Sequence, residues 1–575
     1  MTAVFGTLTL VVVLSLNGTF YYKQLQNDTS GSRHQLRVLP HVQNHPVEKL
    51  RRNLEEEASP NNATLLQNNP TEEATHPNNT INNQNNPTEK DTHPNSTIND
   101  KSNSIKEVRH PINSPTYNQN NITEQVTDPS HTKFVVLNRE TEYRQGDVLT
   151  AVIVARDVRG RPKTYGGDFF RAKLVSIRPG EASCAGHVTD HGNGTYTVQF
   201  PLYWAGDVNV CVQLVHPSET VRVLRRVRDV PAKRGYECIF FETETGPKEE
   251  RQCFTSQPPG RPLEQLCDLS RKEANGTWFC VKPDALPCSA IAGCRRDVTQ
   301  KGSQSPYIEA ELEQDIQTPI HVKESARAPL DDLPDCSSNT PGVLFHGYWS
   351  GNVWKSSVCR VRMFTRADAR SCLANKTLYI QGDSTIRQWY LWLAAGHSKG
   401  SLKPGPAIAI NKDVNIVVHY RSHGLPLMGS HWMNFTQIRY VVDELDSMNG
   451  GPNTVIVLGL WAHFTTESLE MFRARLHAIQ NAIHRLLQRS PGTRVFVRTG
   501  TTREHKDRSF YLRGSDWLAY QITEEIRQIF RTDRDVVVLD TWDMSVCQWE
   551  PDNIHPGPAL IDSQINMLLS HICPK

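Results

Sequence analysis

The sequence predicts a multidomain chain: a disordered N-terminal stalk, an immunoglobulin-like β-sandwich, a Cys-rich connector and an α/β three-layer domain. Three changes of texture predict it. Apolar periodicity is missing up to about residue 131. Short β-branched runs then fill about a hundred residues. From about Pro341, strand and helix patterns alternate to the end.

Residues 1–22 open the chain. Ala3 to Tyr22 carry no charge, and Val11, Val12, Val13, Leu14 and Leu16 form an apolar centre. That length suits a signal peptide or a short type II signal anchor. No later segment is apolar enough to span a bilayer, which excludes a multi-pass membrane protein. Residues 23–131 are dominated by Asn, Thr, Pro, His and Glu. Such a segment buries too little apolar surface to offset its ordering entropy, so disorder is expected. It carries a seventeen-residue repeat: Gln67-Asn68-Asn69-Pro70-Thr71-Glu72 returns as Gln84-Asn85-Asn86-Pro87-Thr88-Glu89. A polar unit of that size makes a duplicated stalk, not a solenoid.

Residues 132–229 hold runs such as Val148 to Val154, Tyr196 to Phe200 and Val208 to Val212, separated by turn signals at Gln145-Gly146-Asp147 and Gly192-Asn193-Gly194. This reads as a β-sandwich. Residues 230–340 are rich in Cys and Pro and read as a disulfide-stapled, loop-rich connector. All 13 cysteines lie beyond residue 180 with no metal-ligand spacing, so a disulfide framework is expected and a metal site is not. Cys184–Cys211 and Cys547–Cys573 are candidate staples. The other pairings stay open, and the odd count leaves a thiol unpaired or bridging two chains.

In residues 341–575, strands are expected at Thr377–Gln381, Asn415–Tyr420, Thr454–Leu458, Arg494–Arg498 and Asp535–Asp540. Helices are expected at Thr385–Ala395, Ser468–Gln488, Asp516–Phe530 and Ala559–Ile572. Apolar strands alternating with amphipathic helices predict a parallel sheet covered on both faces.

With 63 basic and 61 acidic residues, the chain lacks the charge of a nucleic-acid binder. Sequons are dense, and those at Asn193, Asn275, Asn375 and Asn434 fall in the predicted folded region. With the leader and the cysteines, they place the protein in the secretory pathway, secreted or in the Golgi lumen.

Chemistry is carried by two motifs. Gly382-Asp383-Ser384 sits where a strand ends and a helix begins. Ligands bind at that edge of an open α/β sheet, and the helix N-terminus supplies free N–H groups for an oxyanion. Asp552-Asn553-Ile554-His555 lies after the last strand. An imidazole there can deprotonate the serine, with the carboxylate fixing its tautomer. Asp128-Pro129-Ser130-His131 has the same spacing but falls at the end of the stalk.

Gly-Asp-Ser followed by a C-terminal Asp-x-x-His resembles the SGNH superfamily, in its PC-esterase branch. Asp190-His191-Gly192-Asn193-Gly194-Thr195-Tyr196-Thr197 and Leu202-Tyr203-Trp204-Ala205-Gly206 resemble a neurexophilin-type domain. Together, over roughly residues 130–575, they resemble the neurexophilin and PC-esterase domain family. The resemblance implies Ser384 as nucleophile, His555 as base and Asp552 as its orienting partner. It implies acyl chemistry on glycans, such as O-acetylation of sialic acid, with no bound cofactor and acetyl-CoA as one candidate acetyl donor. An inert binding glycoprotein acting on a cell-surface receptor is the alternative. One departure stands out: Gly459-Leu460-Trp461-Ala462-His463-Phe464 lacks the family's Asn, leaving Gly459 and His463 as candidate oxyanion donors. Arg421 and His423, at the same sheet edge, are candidate substrate-binding residues.

Overall fold

The computed structural model describes residues 10–16, 19–25, 125–139, 141–176, 181–229, 235–296, 310–311, 319–325, 332–337, 346–395, 398–399, 406–427, 432–503, 514–551 and 553–574. The chain divides into two units, residues 1–112 and 113–575. In the first, Leu10–Leu16 and Thr19–Leu25 pair as an antiparallel hairpin. The predicted stalk between residues 26 and 124 lies outside the described residues. Among the described residues, no helix is long and apolar enough to cross a membrane.

The second unit begins with β1 (Lys133–Val136), β2 (Tyr143–Arg144), β3 (Val148–Val154), β4 (Phe169–Ser176), β5 (Ala182–Asp190), β6 (Thr195–Pro201) and β7 (Gly206–His216). Burial alternates along β3, β4 and β6, as a pleat with one covered face requires. The inward residues, among them Leu149, Ile153, Leu174, Tyr196, Phe200 and Val210, fill one core. The two sheets of the expected sandwich are joined into one. β5 pairs with β4 through Ala182–Gly186 and with β6 through His187–Asp190. Gly186 sits at that change of partner, where a Cβ would come within 2.3 Å of the Phe200 ring. Helix α1 (Ser218–Asp229) follows and packs Val221 and Leu224 on Trp517 and Leu518.

Later segments complete this sheet. β8 (Ile320–Lys323) pairs with β7, and β9 (Gly347–Ser350) pairs with β5. Between α1 and β8 in sequence, the Cys-rich region forms a small sheet rather than loops alone. Its strands Tyr236–Phe240, Glu249–Phe254, Leu266–Asp268, Phe279–Val281 and Ile291–Arg296 are stapled by Cys238–Cys294, Cys253–Cys280 and Cys267–Cys288.

Both expected staples are corrected. Cys184 faces the core with Leu174, whereas Cys211 stands opposite Lys173 and so points to the other face. Cys573 bonds Cys372, and Cys336 bonds Cys359. Among the described residues, Cys184, Cys211 and Cys547 are in no disulfide. Burial pushes the Cys184 and Cys547 pKa values up, which keeps both thiols protonated and inert.

The last region comprises β10 (Thr377–Gly382), α2 (Ser384–Leu393), β11 (Ala407–Asn411), β12 (Ile416–Arg421), β13 (Thr454–Gly459), α3 (Leu469–Arg489), β14 (Arg494–Arg498), α4 (Asp516–Phe530), β15 (Val536–Leu539), α5 (Trp542–Val546) and α6 (Pro558–Ile572). Seven strands stand in the order Ser398–Lys399, β11, β12, β10, β13, β14, β15. β12, β10, β13, β14 and β15 run parallel, whereas β11 pairs antiparallel with β12, and Ser398–Lys399 pairs antiparallel with β11 at the edge. β13 is buried on both faces. Its Val455 and Val457 join the core under α2 and α6, while Ile456 and Leu458 join the core under α3 and α4. Helices therefore cover both sides, as continuous apolar parallel strands require.

Candidate functional site

From β10 the chain first builds β11 and β12 on one side, then β13 on the other. The sheet order thus reverses at β10, and its carboxyl end faces the crevice where such sheets hold ligands. Gly382 ends the strand with φ of 150°, and a Cβ there would lie 2.0 Å from the Gly459 carbonyl oxygen. Only glycine lets the two backbones approach so closely.

Asp383 caps α2. Its Oδ1 accepts from the Thr385 backbone N–H at 2.9 Å. Its Oδ2 accepts from the backbone N–H groups of Ala462 at 2.8 Å and Trp461 at 3.3 Å. Thr385 Oγ1 in turn accepts from Trp461 Nε1 at 2.9 Å and from the Arg498 guanidinium. Burial works to raise the Asp383 pKa, but His463, Arg498 and the Thr385 bond hold it below the usual carboxylate value. Burial lowers Arg498 to about 10, against the pull of Asp383. Asp383 is thus a buried brace tying the β10–α2 turn to the loop after β13.

Ser384 is the first residue of α2, so its N–H has no acceptor within the helix. Its hydroxyl lies 2.8 Å from His555 Nε2. His555 reaches it from the loop before α6, which Gln388 Nε2 anchors by donating to the Pro556 carbonyl at 3.0 Å. Partial enclosure, together with the Arg387 and Arg503 charges, lowers the His555 pKa despite the opposing pull of Asp383. A neutral ring with Nε2 unprotonated is the form that accepts the serine proton. Asp552 lies outside the described residues. Asn553 Oδ1 accepts from the His555 backbone N–H at 3.2 Å.

The remaining sequence candidates scatter. Gly459 stands beside Gly382, and its carbonyl accepts from Asp383 N at 3.2 Å. His463 Nδ1 lies 2.8 Å from His423 Nε2. Burial lowers His463 to about 4 and His423 well below its ordinary value, so both rings are neutral at pH 7. His423 is buried behind His463 and does not stand open at the sheet edge. Arg421 pairs with Glu444 at 3.2 Å, which Arg439 also meets at 2.8 Å. Asn193, Asn275, Asn375 and Asn434 are all exposed. A cleft of about 670 Å³ is lined by Leu269, Tyr440 and Asp443, among others, and includes neither Ser384 nor His555.

Sequence reasoning missed the Asp383–Thr385–Trp461–Arg498 network and the two arginines near His555. Arg498 carried a signal: a cation closing an otherwise apolar parallel strand is paired or functional. Arg503 is held by its own backbone N–H, which donates to Asp516 Oδ1 at 2.7 Å, while Asp516 pairs with Arg171 of β4 at 2.8 Å.

Two family models match the chain: "Neurexophilin" over residues 109–301 and "NXPE family member 4-like, C-terminal domain" over residues 354–573. A solved structure of invasin, a bacterial integrin-binding protein, aligns at 8% identity over 52% of this chain and 56% of its own, with a TM-score of 0.13. This chain thus spans little more than half of that structure, and a score so low says nothing of fold. The two family matches stand in the order that the sequence motifs led us to expect, and the chain belongs to the neurexophilin and PC-esterase domain (NXPE) family.

Proposed function

We propose that the protein carries out serine-dependent acyl-ester chemistry on secreted or cell-surface glycans. The reading is O-acetyl transfer to a sugar such as sialic acid, or hydrolysis of such an ester, in an SGNH-type site. The observation that carries it is the 2.8 Å contact between Ser384 Oγ and His555 Nε2 at a helix N-terminus. On this reading His555 takes the hydroxyl proton as Oγ attacks the acyl carbonyl. The Ser384 N–H then stabilises the oxyanion, with Gly459 and His463 as further donors. The protonated imidazole gives its proton to the leaving group. Water or a sugar hydroxyl, deprotonated by the same ring, next attacks the acyl-serine and releases the product. Asp552 is assigned as the carboxylate that holds the imidazole tautomer. The acyl donor is proposed to be a soluble co-substrate such as acetyl-CoA, and the compartment the Golgi lumen or the secreted pool.

A fluorophosphonate probe tests the nucleophile: labelling of the folded protein is expected and is lost in Ser384→Ala. Glycan mass spectrometry of cells expressing wild type or Ser384→Ala identifies the acyl group. Acetylation unchanged by wild-type expression would end the transferase reading. A second reading, a binding glycoprotein acting on a cell-surface receptor, is favoured by the neurexophilin match over residues 109–301. Well-folded protein that takes no probe label supports it.

A further inference from the structure

Away from Ser384, three side chains from remote segments converge. His187 stands on β5, His346 immediately precedes β9, and Asp543 lies in the first turn of α5. His346 Nδ1 is 2.8 Å from Asp543 Oδ2, and His187 Nε2 is 3.9 Å from the same oxygen. The rings meet edge to face with centroids 4.6 Å apart. One potential ligand atom from each residue lies within 4.8 Å of the other two. We propose that these residues form a binding site for a divalent cation of the zinc type, a structural joint between the β-sheet region and the α/β region.

The donor set fits that ion. Two imidazole nitrogens and one carboxylate oxygen are zinc ligands at bond lengths of about 2.0–2.2 Å. Tetrahedral ligands at that radius stand about 3.3 Å apart. The two observed separations from Asp543 Oδ2, 2.8 and 3.9 Å, bracket this value. Closing on an ion therefore needs side-chain adjustments of about half an ångström at each histidine. Among the described residues, the His187 ring makes no hydrogen bond, and its Nε2 faces the Asp543 carboxylate at 3.9 Å. The surrounding charge is favourable too. Arg527 is the nearby cation, and it is already matched by Asp540 at 2.5 Å and Glu524 at 2.6 Å. With Arg527 so matched, the Asp543 charge remains for a cation. The exposed side of His187 leaves room for water as a fourth ligand.

Position gives the site its role. α5 is followed directly by the segment that carries His555, and two contacts already tie α5 to the sheet region. Ser183 Oγ donates to the Cys547 carbonyl at 2.5 Å, and Trp349 Nε1 donates to the Met544 carbonyl at 2.9 Å. An ion bound to His187, His346 and Asp543 would lock this junction. This assignment is independent of the chemistry at Ser384.

The test uses the full chain, stripped with EDTA and dialysed, then titrated with Zn²⁺. Metal content is read by mass spectrometry and stability by thermal unfolding. Expected is one zinc per chain that is absent from His187→Gln and Asp543→Asn, with affinity weakened at least about tenfold in each, and a Zn²⁺-dependent rise in Tm seen only in wild type. His187 is exposed enough that the glutamine variant should fold, and asparagine at 543 keeps an acceptor for His346. The site is overturned if wild type takes up no stoichiometric zinc, leaving a hydrogen-bonded junction only. It is equally overturned if both variants bind zinc and gain Tm as wild type does.

Discussion

A serine hydroxyl lies against a histidine ring at both Ser130–His131 and Ser384–His555, and the two geometries differ. In the Asp128–His131 turn, His131 Nδ1 lies 2.6 Å from Asp128 Oδ2, and Ser130 Oγ donates to that same oxygen at 2.7 Å. Ser130 also approaches His131 through Nδ1, at 3.2 Å. All three groups thus crowd one ring nitrogen and one carboxylate, and among the described residues no hydroxyl bonds Nε2. At Ser384 the contact is with Nε2, the serine opens a ten-residue helix, and the partner comes from far along the chain. Residues close in sequence satisfy one another as a turn. A reactive hydroxyl needs a scaffold that keeps its base from being satisfied locally.

Substitutions can break this contrast. The largest effect is expected at Ser384: Ser384→Ala should cut probe labelling or turnover by about 10³-fold or more, while Ser130→Ala leaves it unchanged. Equal losses from both would erase the distinction. Next comes the brace. Asp383→Asn places an amide N–H₂ against two backbone donors and leaves Arg498 buried without its counter-charge, at a cost of about 2–4 kcal/mol in chemical denaturation.

The pH profile sharpens the comparison further. The base works unprotonated, and its pKa lies below the ordinary 6.5, so turnover should rise with pH and level off already below that value. A midpoint above 6.5 would mean that another group titrates. The smallest effect is expected at His131→Gln. It breaks an ion pair whose histidine is 45% exposed and should shift stability by less than about 1 kcal/mol.

Much of the α/β region was legible because its strands are apolar runs and its helices carry a 3.6 period. Arg494–Arg498 and Asp516–Phe530 have the bounds that the pattern suggests, and Ser384 opens a helix after a strand, with its hydroxyl against His555. The antiparallel strand Ala407–Asn411 was not foreseen, since its exposed Ile408 and Ile410 blur the alternation that marks a half-buried strand. Helix α1 was missed because charged residues fill half of its twelve positions, and it is Trp517 and Leu518, remote in sequence, that complete its packing. The disulfides were unreadable for a related reason. Spacing does not reveal which face of a sheet a cysteine occupies, and it is the pleat that separates Cys184 from Cys211. The Asp383–Arg498 brace spans residues that only the folded sheet brings together.

The Cys-rich sheet has one more strand than its own sequence supplies. Met433–Asn434, from the stretch between β12 and β13, pairs with Cys294 and Gly293, and Tyr236 Oη donates to Glu467 at 3.1 Å. Tyr236, Cys238 and Trp278 share a core with Ile456 and Leu458 of β13. A fragment starting at residue 341 would bare that core and strand a piece of unpaired backbone. The C-terminal half is therefore poorly suited to being expressed, assayed or inherited as a stand-alone cassette, and shuffling at that border should yield insoluble protein.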